Sequence, residues 1–294
     1  MSRHLWPLLV AAVLAPVPAH AAVTVVDDTG KRVTLARPAQ RVISMAPHVT
    51  EMLFAAGGGA RVVGVMNYSD YPEQARSLPL VGSSSQLDME RVLALKPDLL
   101  VVWQGGNTER QLAQLKSLGI PMFFSDPRKM AQIGETVARL GQLMGTERQA
   151  QAASAAFRAE LAALSARYAK RPPVRMFYQI WDKPLYTLNG TQIVSDAMRL
   201  CGGVNVFGHL QVTAPAVSIE AVIEQDPEVI FAGDRGEESD AGLNIWRPYQ
   251  GMLAVKRQNL FTLKGGLLAR AGPRMVQGVA ALCEKLELAR QRRP

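Results

Sequence analysis

Four aromatic side chains, Tyr68, Trp103, Trp181 and Tyr186, each follow a short β-branched run in a chain where aromatics make up only 6% of residues. In open α/β sheets a ligand sits beyond the C-terminal ends of the strands. Rings gathered at such ends suit a large, flat or apolar small molecule. Polar residues stand beside them. Pro47-His48 follows the first run, Asn67-Tyr68-Ser69-Asp70-Tyr71-Pro72 the second, and Trp103-Gln104-Gly105-Gly106-Asn107 the third. In the second half Trp181, Tyr186 and Asn189 follow the opening run, and Asp234-Arg235 a later one. Singly, each ring suits ordinary packing; their shared position points to binding.

Other chemistries find less support. Zinc needs several converging His or Cys side chains, and of the four histidines His4 and His20 lie in the N-terminal leader, leaving His48 and His209. His48 suits either an axial ligand to a metal held in a macrocycle or a polar residue ahead of a helix. There is no Gly-x-Ser-x-Gly elbow, no phosphate loop and no His-Glu-x-x-His, so an enzyme is not expected. Glu90 and Glu220 occupy matching places in two echoing segments, 89–100 and 219–230, each seven residues before a proline. Both fall in the first turn of an expected helix, where a carboxylate complements the dipole. They also suit paired acidic knobs that meet arginines on a two-fold symmetric partner.

The elements that position these residues alternate along the chain. Residues 23–26 and 32–35, joined by Asp27-Asp28-Thr29-Gly30, read as a β-hairpin. Apolar runs at 41–45, 62–65, 99–102 and 122–124 then alternate with helix-like spacing at 49–56, 89–95 and 108–118. Such alternation predicts a mainly parallel sheet covered on both faces. Thr146 and Gln149 form a candidate capping box for a helix over 147–170, about 36 Å long. Phe157, Leu161, Leu164 and Tyr168 recur along it at helical spacing, and it either joins two lobes or is one more packed helix. The alternation restarts at 174–180 and 228–232 and closes with a helix through Cys283; residues 196–203 also echo 51–58. The prediction is an α/β protein of two Rossmann-like lobes, 22–145 with the leading hairpin and 171–294, joined by a helix at 146–170.

Residues 1–21 combine Arg3, an apolar run from Leu5 to Val17 and Ala19-His20-Ala21 ahead of Ala22, which reads as a cleaved secretory signal peptide. The run of about 13 residues is short of the roughly 20 that cross a bilayer, against an uncleaved anchor. No Cys near the cleavage site could carry a lipid, so a soluble periplasmic protein is expected. The formal net charge is +8, much of it in Lys170, Arg171, Arg175, Arg290, Arg292 and Arg293. Without an interleaved aromatic platform this reads as solubility charge rather than a nucleic-acid surface. Cys201 and Cys283 are the only cysteines. In an oxidising compartment an even pair favours a disulfide, with two buried free thiols as the alternative.

A family resemblance rests on specific residues. Arg41-Val42-Ile43-Ser44 with Pro47 and Thr50-Glu51, Tyr68-Ser69-Asp70-Tyr71-Pro72, the segment Glu90 to Asp98, and Trp103-x-Gly105-Gly106-Asn107 resemble the periplasmic receptors of ABC importers for siderophores, haem and cobalamin. The resemblance continues through Cys201-Gly202-Gly203-Val204-Asn205-Val206-Phe207 and Arg270-Ala271-x-Pro273-Arg274, so it covers nearly all the mature chain. The Tyr-Ser-Asp-Tyr-Pro and Trp-x-Gly-Gly-Asn elements look like the cobalamin branch. The resemblance implies a receptor, monomeric when free and without a resident cofactor, that carries cobalamin or another corrinoid to the permease of an inner-membrane ABC transporter. It implies that Tyr68, Trp103 and Tyr186 are pocket aromatics and Arg270 a polar contact. Glu90 and Glu220 would dock on permease arginines, and Cys201 with Cys283 would form the branch's disulfide. Ser84 and Ala214 stand where that branch has tryptophans and Gly266 where it has an aspartate; Trp181 and Trp246 are candidates to compensate. Haem or a ferric siderophore is the alternative cargo, and an enzyme or assembly factor on the same architecture the further one.

Overall fold

The computed structural model describes residues 22–233, 242–263 and 266–294; the leader at 1–21 lies outside them. Strands β1 (Val23–Val26) and β2 (Arg32–Leu35) pair antiparallel as the expected hairpin, with Gly30 at a left-handed φ of 82° in its turn. Then β3 (Val42–Ser44), α1 (Pro47–Ala55), β4 (Val62–Val65), α2 (Met89–Ala94) and β5 (Leu99–Val102) alternate, followed by α3 (Glu109–Ser117), β6 (Met122–Phe124) and α4 (Met130–Met144). After α5 (Glu147–Tyr168) the second half opens with β7 (Val174–Gln179) and a short hairpin of β8 (Trp181–Asp182) and β9 (Leu185–Tyr186). It continues through α6 (Ile193–Leu200), β10 (Gly203–Asn205), α7 (Ile219–Gln225) and β11 (Val229–Gly233) to α8 (Leu253–Lys256), β12 (Leu260–Leu263) and α9 (Met275–Gln291).

The two large sheets are wholly parallel, with strand orders β4-β3-β5-β6 and β10-β7-β11-β12. Counted from its own first strand, each is ordered 2-1-3-4, so the sequence echo reflects one topology built twice. In this order the connections leave the first and third strands in opposite directions, which opens a crevice at their C-terminal ends. Those strands are β3 and β5 in one lobe, and β7 and β11 in the other.

Successive strand residues face opposite sides, so each sheet feeds two cores. Val42, Leu99, Val101 and Phe123 pack on α4 and α5 in a core that continues through α9 to Val174, Met176, Val229 and Phe231 of the second sheet. Their neighbours Ile43, Leu100 and Val102 face an outer core with Val92 and Leu115. Phe177, Ile230 and Ala232 do likewise with Val222 and Trp246. Because both faces are covered, the strands read as continuous apolar runs. The shared inner core ties the lobes together through α5 and α9.

Helix α5 has 22 residues, about 33 Å, and buries Ala150, Ser154, Phe157, Leu161 and Tyr168. It turns back on α4 at Gly145, which is left-handed at φ 63°. The two helices approach closely because Gly141 has no side chain: a Cβ there would stand 2.1 Å from that of Ala150. The expected capping box is not formed. Thr146 Oγ1 donates instead to the Ala56 carbonyl at 2.6 Å, so this hydroxyl ties α5 to the end of α1 rather than capping its own helix. Cys201, at the end of α6, is bonded to Cys283 in α9, and both are buried.

Candidate ligand-binding cleft

Between the lobes, at the strand ends, lies a cavity of about 280 Å³. The first lobe lines it with His48 from α1, Trp103 after β5, and Asp126 and Arg128 after β6. The second supplies Tyr178 from β7, Leu188, the start of α6 and the segment 268–271 with Arg270. A larger recess of about 810 Å³ lies against α1, α5, the loop at 71–78 and residues 273–277. The smaller cavity is the candidate site, because residues just beyond β3, β5, β6 and β7 line it.

Trp103 is seated by its neighbours. Its indole Nε1 donates to Asp126 Oδ1 at 3.2 Å, and Asp126 also accepts from Arg128. Gly105 and Gly106 lie outside the cavity, and their role is to let the chain fold over this ring. A Cβ on Gly106 would stand 1.9 Å from Trp103 Cε3, and one on Gly105 3.2 Å from Nε1. The leading hairpin fixes Asp126 from behind: Asp28 Oδ2 accepts from the Asp126 backbone N–H at 2.7 Å and is itself paired with Arg139. Thus β1 and β2, remote from the cavity in sequence, position its floor.

His48 stands edge-on to Trp103, with ring centroids 5.2 Å apart. It is 5% exposed, and its Nε2 is buried without a hydrogen-bond partner. Burial, partly opposed by the Asp126 charge and reinforced by Arg270, lowers its pKa to about 4. The ring is therefore neutral at physiological pH, with one nitrogen carrying a free lone pair. Burial likewise pushes the Tyr178 phenol up to about 12, which keeps it a neutral hydroxyl in the cleft wall. Arg270 is paired with Asp70 and lies 3.7 Å from Glu51.

Tyr68, Trp181 and Tyr186 lie outside the enclosed cavity, at 74%, 48% and 36% exposure. Trp181 and Tyr186 are cross-strand partners in the β8–β9 hairpin beyond β7. Tyr68 has a left-handed φ of 64°, a conformation costly for a bulky residue and enriched at functional sites. Its loop is tied to α1 by a buried chain of hydroxyls, Ser44 to Thr50 at 2.7 Å and Thr50 to Ser69 at 3.0 Å. Exposed rings held by ordered loops are available to a ligand at the strand ends.

Two expectations are corrected. Trp246 does not compensate in the pocket: it is fully buried in the outer core of the second lobe, where its Nε1 donates to Gln179 Oε1 at 2.6 Å. Asn189 is buried, and its amide is spent on the carbonyls of Leu210 and Gln211 and on Thr191, so it holds a loop. Ser84 and Ala214 are exposed loop residues, Gly266 is left-handed at φ 60°, and Asp234-Arg235 lies outside the described residues. Asp126, Arg128 and Tyr178 were not anticipated. Applying the strand-end rule to the fourth run, 122–124, would have found the first two.

Glu90 and Glu220 are exposed in the first turns of α2 and α7, and neither pairs with a described cation. The N-caps of these helices are supplied two residues earlier, by Asp88 and Ser218. The Glu220 carboxyl is held below the usual range by its own backbone N–H and by Ser218. Each helix runs back along its sheet, so both acids lie at the strand-end edge of their lobes, one on each side of the cleft.

The sequence profile of the periplasmic binding protein family matches residues 42–266. The vitamin B12-binding protein of Vibrio cholerae is 38% identical over 255 residues, 86% of this chain and 91% of that protein. That of Yersinia pestis is 39% identical over 274 residues, 93% of this chain and 94% of the relative. Among solved structures, the periplasmic vitamin B12-binding protein of Vibrio cholerae superposes with a TM-score of 0.81 over 86% of this chain and 98% of that one, at 38% identity. The apo periplasmic haem-binding protein of Roseiflexus does so with a TM-score of 0.73 over 85% and 99%, at 25% identity. Profile, relatives and the twice-built 2-1-3-4 lobe agree: this chain belongs to the periplasmic binding protein family.

Proposed function

We propose that the protein is exported by the signal at residues 1–21 and captures cobalamin or a related corrinoid in the cleft between its lobes, then delivers it to an inner-membrane ABC transporter. The observation that carries this reading is the cleft itself, where Trp103 and Arg270 from opposite lobes meet at the strand ends of a chain 38–39% identical to vitamin B12-binding proteins. Trp103, Tyr68, Trp181 and Tyr186 would bury the apolar faces of the macrocycle. Arg270, Arg128 and the neutral Tyr178 hydroxyl would satisfy its amides and phosphate. Glu90 and Glu220, one per lobe, suit a two-fold partner that reads both lobes at once.

A cavity of about 280 Å³ falls at the small end of the roughly 300–1,000 Å³ usual for small-ligand pockets. A corrinoid needs more room, so the lobes separate to admit it and close around it. The core shared through α5 and α9 favours a limited movement. Calorimetry with cyanocobalamin and with cobinamide tests the reading: saturable binding of at least one supports it, and binding of neither overturns it.

Haem is the second reading, favoured by one observation. The unpaired Nε2 of a neutral, buried His48 beside the cleft is the type of group that ligates a macrocycle-bound metal. A Soret shift abolished in His48→Ala would favour haem; no spectral change on adding haem would dismiss it.

A further inference from the structure

On one flank of the cleft two arginines of the second lobe reach two carboxylates of the first. Arg274 grips Glu51 with two hydrogen bonds, at 3.0 and 2.6 Å, and its guanidinium lies 3.8 Å from the centre of the Tyr71 ring. The Glu51 side chain is 2% exposed and helix-borne, so this pair is fixed. The second pair differs. Arg270 donates through Nη1 and Nη2 to Asp70, whose side chain is 53% exposed and sits on the loop after β4. Glu51, at 3.7 Å from Arg270, is beyond hydrogen-bond distance. Arg270 lines the cavity, yet its bonding partner is a solvent-accessible carboxylate from the opposite lobe.

We infer that Asp70 is a specificity-determining residue, a built-in stand-in anion that occupies Arg270 whenever the ligand brings no anion of its own. A carboxylate and a phosphodiester offer a guanidinium the same pair of oxygens. A ligand with a phosphate displaces Asp70 and takes its place at little net gain. A ligand without one leaves the Asp70–Arg270 bridge intact, so the lobes close over it with no buried cation left bare. Asp70 thus levels the affinities of ligands that differ in this group, and the cleft accepts both. This inference rests on the corrinoid reading for the identity of the ligands, but not for the competition at Arg270.

The test has two arms. In the first, cyanocobalamin, which carries the phosphodiester, and cobinamide, which lacks it, are titrated against the wild type and Asp70→Asn. Asp70→Asn is expected to bind cyanocobalamin about fivefold more tightly, the worth of a well-made exposed ion pair, and cobinamide more weakly, because closure over it then leaves Arg270 without an anion. An equal change for both ligands, or none for either, overturns the inference while leaving the corrinoid reading standing. In the second, inorganic phosphate is the probe, read by tryptophan fluorescence on the ligand-free protein. Binding about fivefold tighter in Asp70→Asn than in the wild type, and lost in Asp70→Asn with Arg270→Gln, supports the competition whatever the physiological ligand. Equal phosphate affinity in wild type and Asp70→Asn refutes it. Failure of the wild type to bind either corrinoid removes the corrinoid reading alone, and the phosphate arm then decides.

Discussion

Lowering the pH from 7 to 5 is expected to remove about 2 kcal/mol of stability through His48 alone. The imidazole is 5% exposed, and burial lowers its pKa from 6.5 to about 4. Between those two values the unfolded chain takes up a proton that the folded protein refuses. The folded pKa is the lower one, so the stability is fully present above pH 6.5 and drains away as the pH falls towards 4. Each pH unit that separates the two values is worth about 1.4 kcal/mol, which gives about 3 kcal/mol in all and about 2 kcal/mol by pH 5. For a chain of this size that corresponds to roughly 4–8 °C in Tm. Asp70 and Glu228, whose carboxyls are also held low in the fold, lose their contributions only below their unfolded values, beneath this window. The assay is thermal unfolding at closely spaced pH values for wild type and His48→Gln, whose amide does not titrate. The variant should lose markedly less Tm than the wild type between pH 7 and 5, even if its Tm at pH 7 is lower from altered packing. Parallel curves would refute the reasoning and mean that His48 takes up its proton in the folded state as readily as in the unfolded chain.

Other outcomes follow from the same geometry. Gly106→Ala places a methyl in the Trp103 ring, so tryptophan fluorescence should change and ligand affinity fall at least tenfold; unchanged affinity would mean that Trp103 does not contact the ligand. Reducing the Cys201–Cys283 bond, which spans 82 residues, should cost about 4 kcal/mol in loop entropy, read as a lower denaturant midpoint. Glu90→Ala with Glu220→Ala should lower uptake through the transporter while leaving ligand affinity within twofold, and full uptake would return both acids to the role of local helix charge.

Much of this was legible in the sequence, for identifiable reasons. The hairpin and the strands β3, β4, β5 and β6 were readable because their apolar runs are bounded by turn residues and separated by helical spacing. The duplicated lobe showed in the two Glu-to-Pro echoes, since α2 leads into β5 as α7 leads into β11. The short β10, whose Gly203 and Asn205 resemble a loop, and β12, with a threonine in its run, were not picked out. Within the site, Trp103 and Arg270 were found by position and resemblance. Asp126 was missed because an Asp-Pro after a strand looks like turn chemistry, and its role emerges only when Asp28 and Trp103 close on it from distant sequence. Trp246 illustrates the converse: its ring suits a pocket, and only packing against Phe177 in the outer core assigns it to structure. Thr146 carried a cap signal that tertiary contact with Ala56 overrides.

The central claim is that the cleft holds a corrinoid, and the molecule that co-purifies with the protein tests it most directly. The absorption spectrum and mass of the molecule that co-purifies with the wild-type protein, compared with Trp103→Ala, are the measurement. Corrinoid absorption bands and a cobalt-containing mass are predicted in the wild type, both lost from Trp103→Ala. A Soret band with an iron-porphyrin mass, or a ferric siderophore, would contradict the claim.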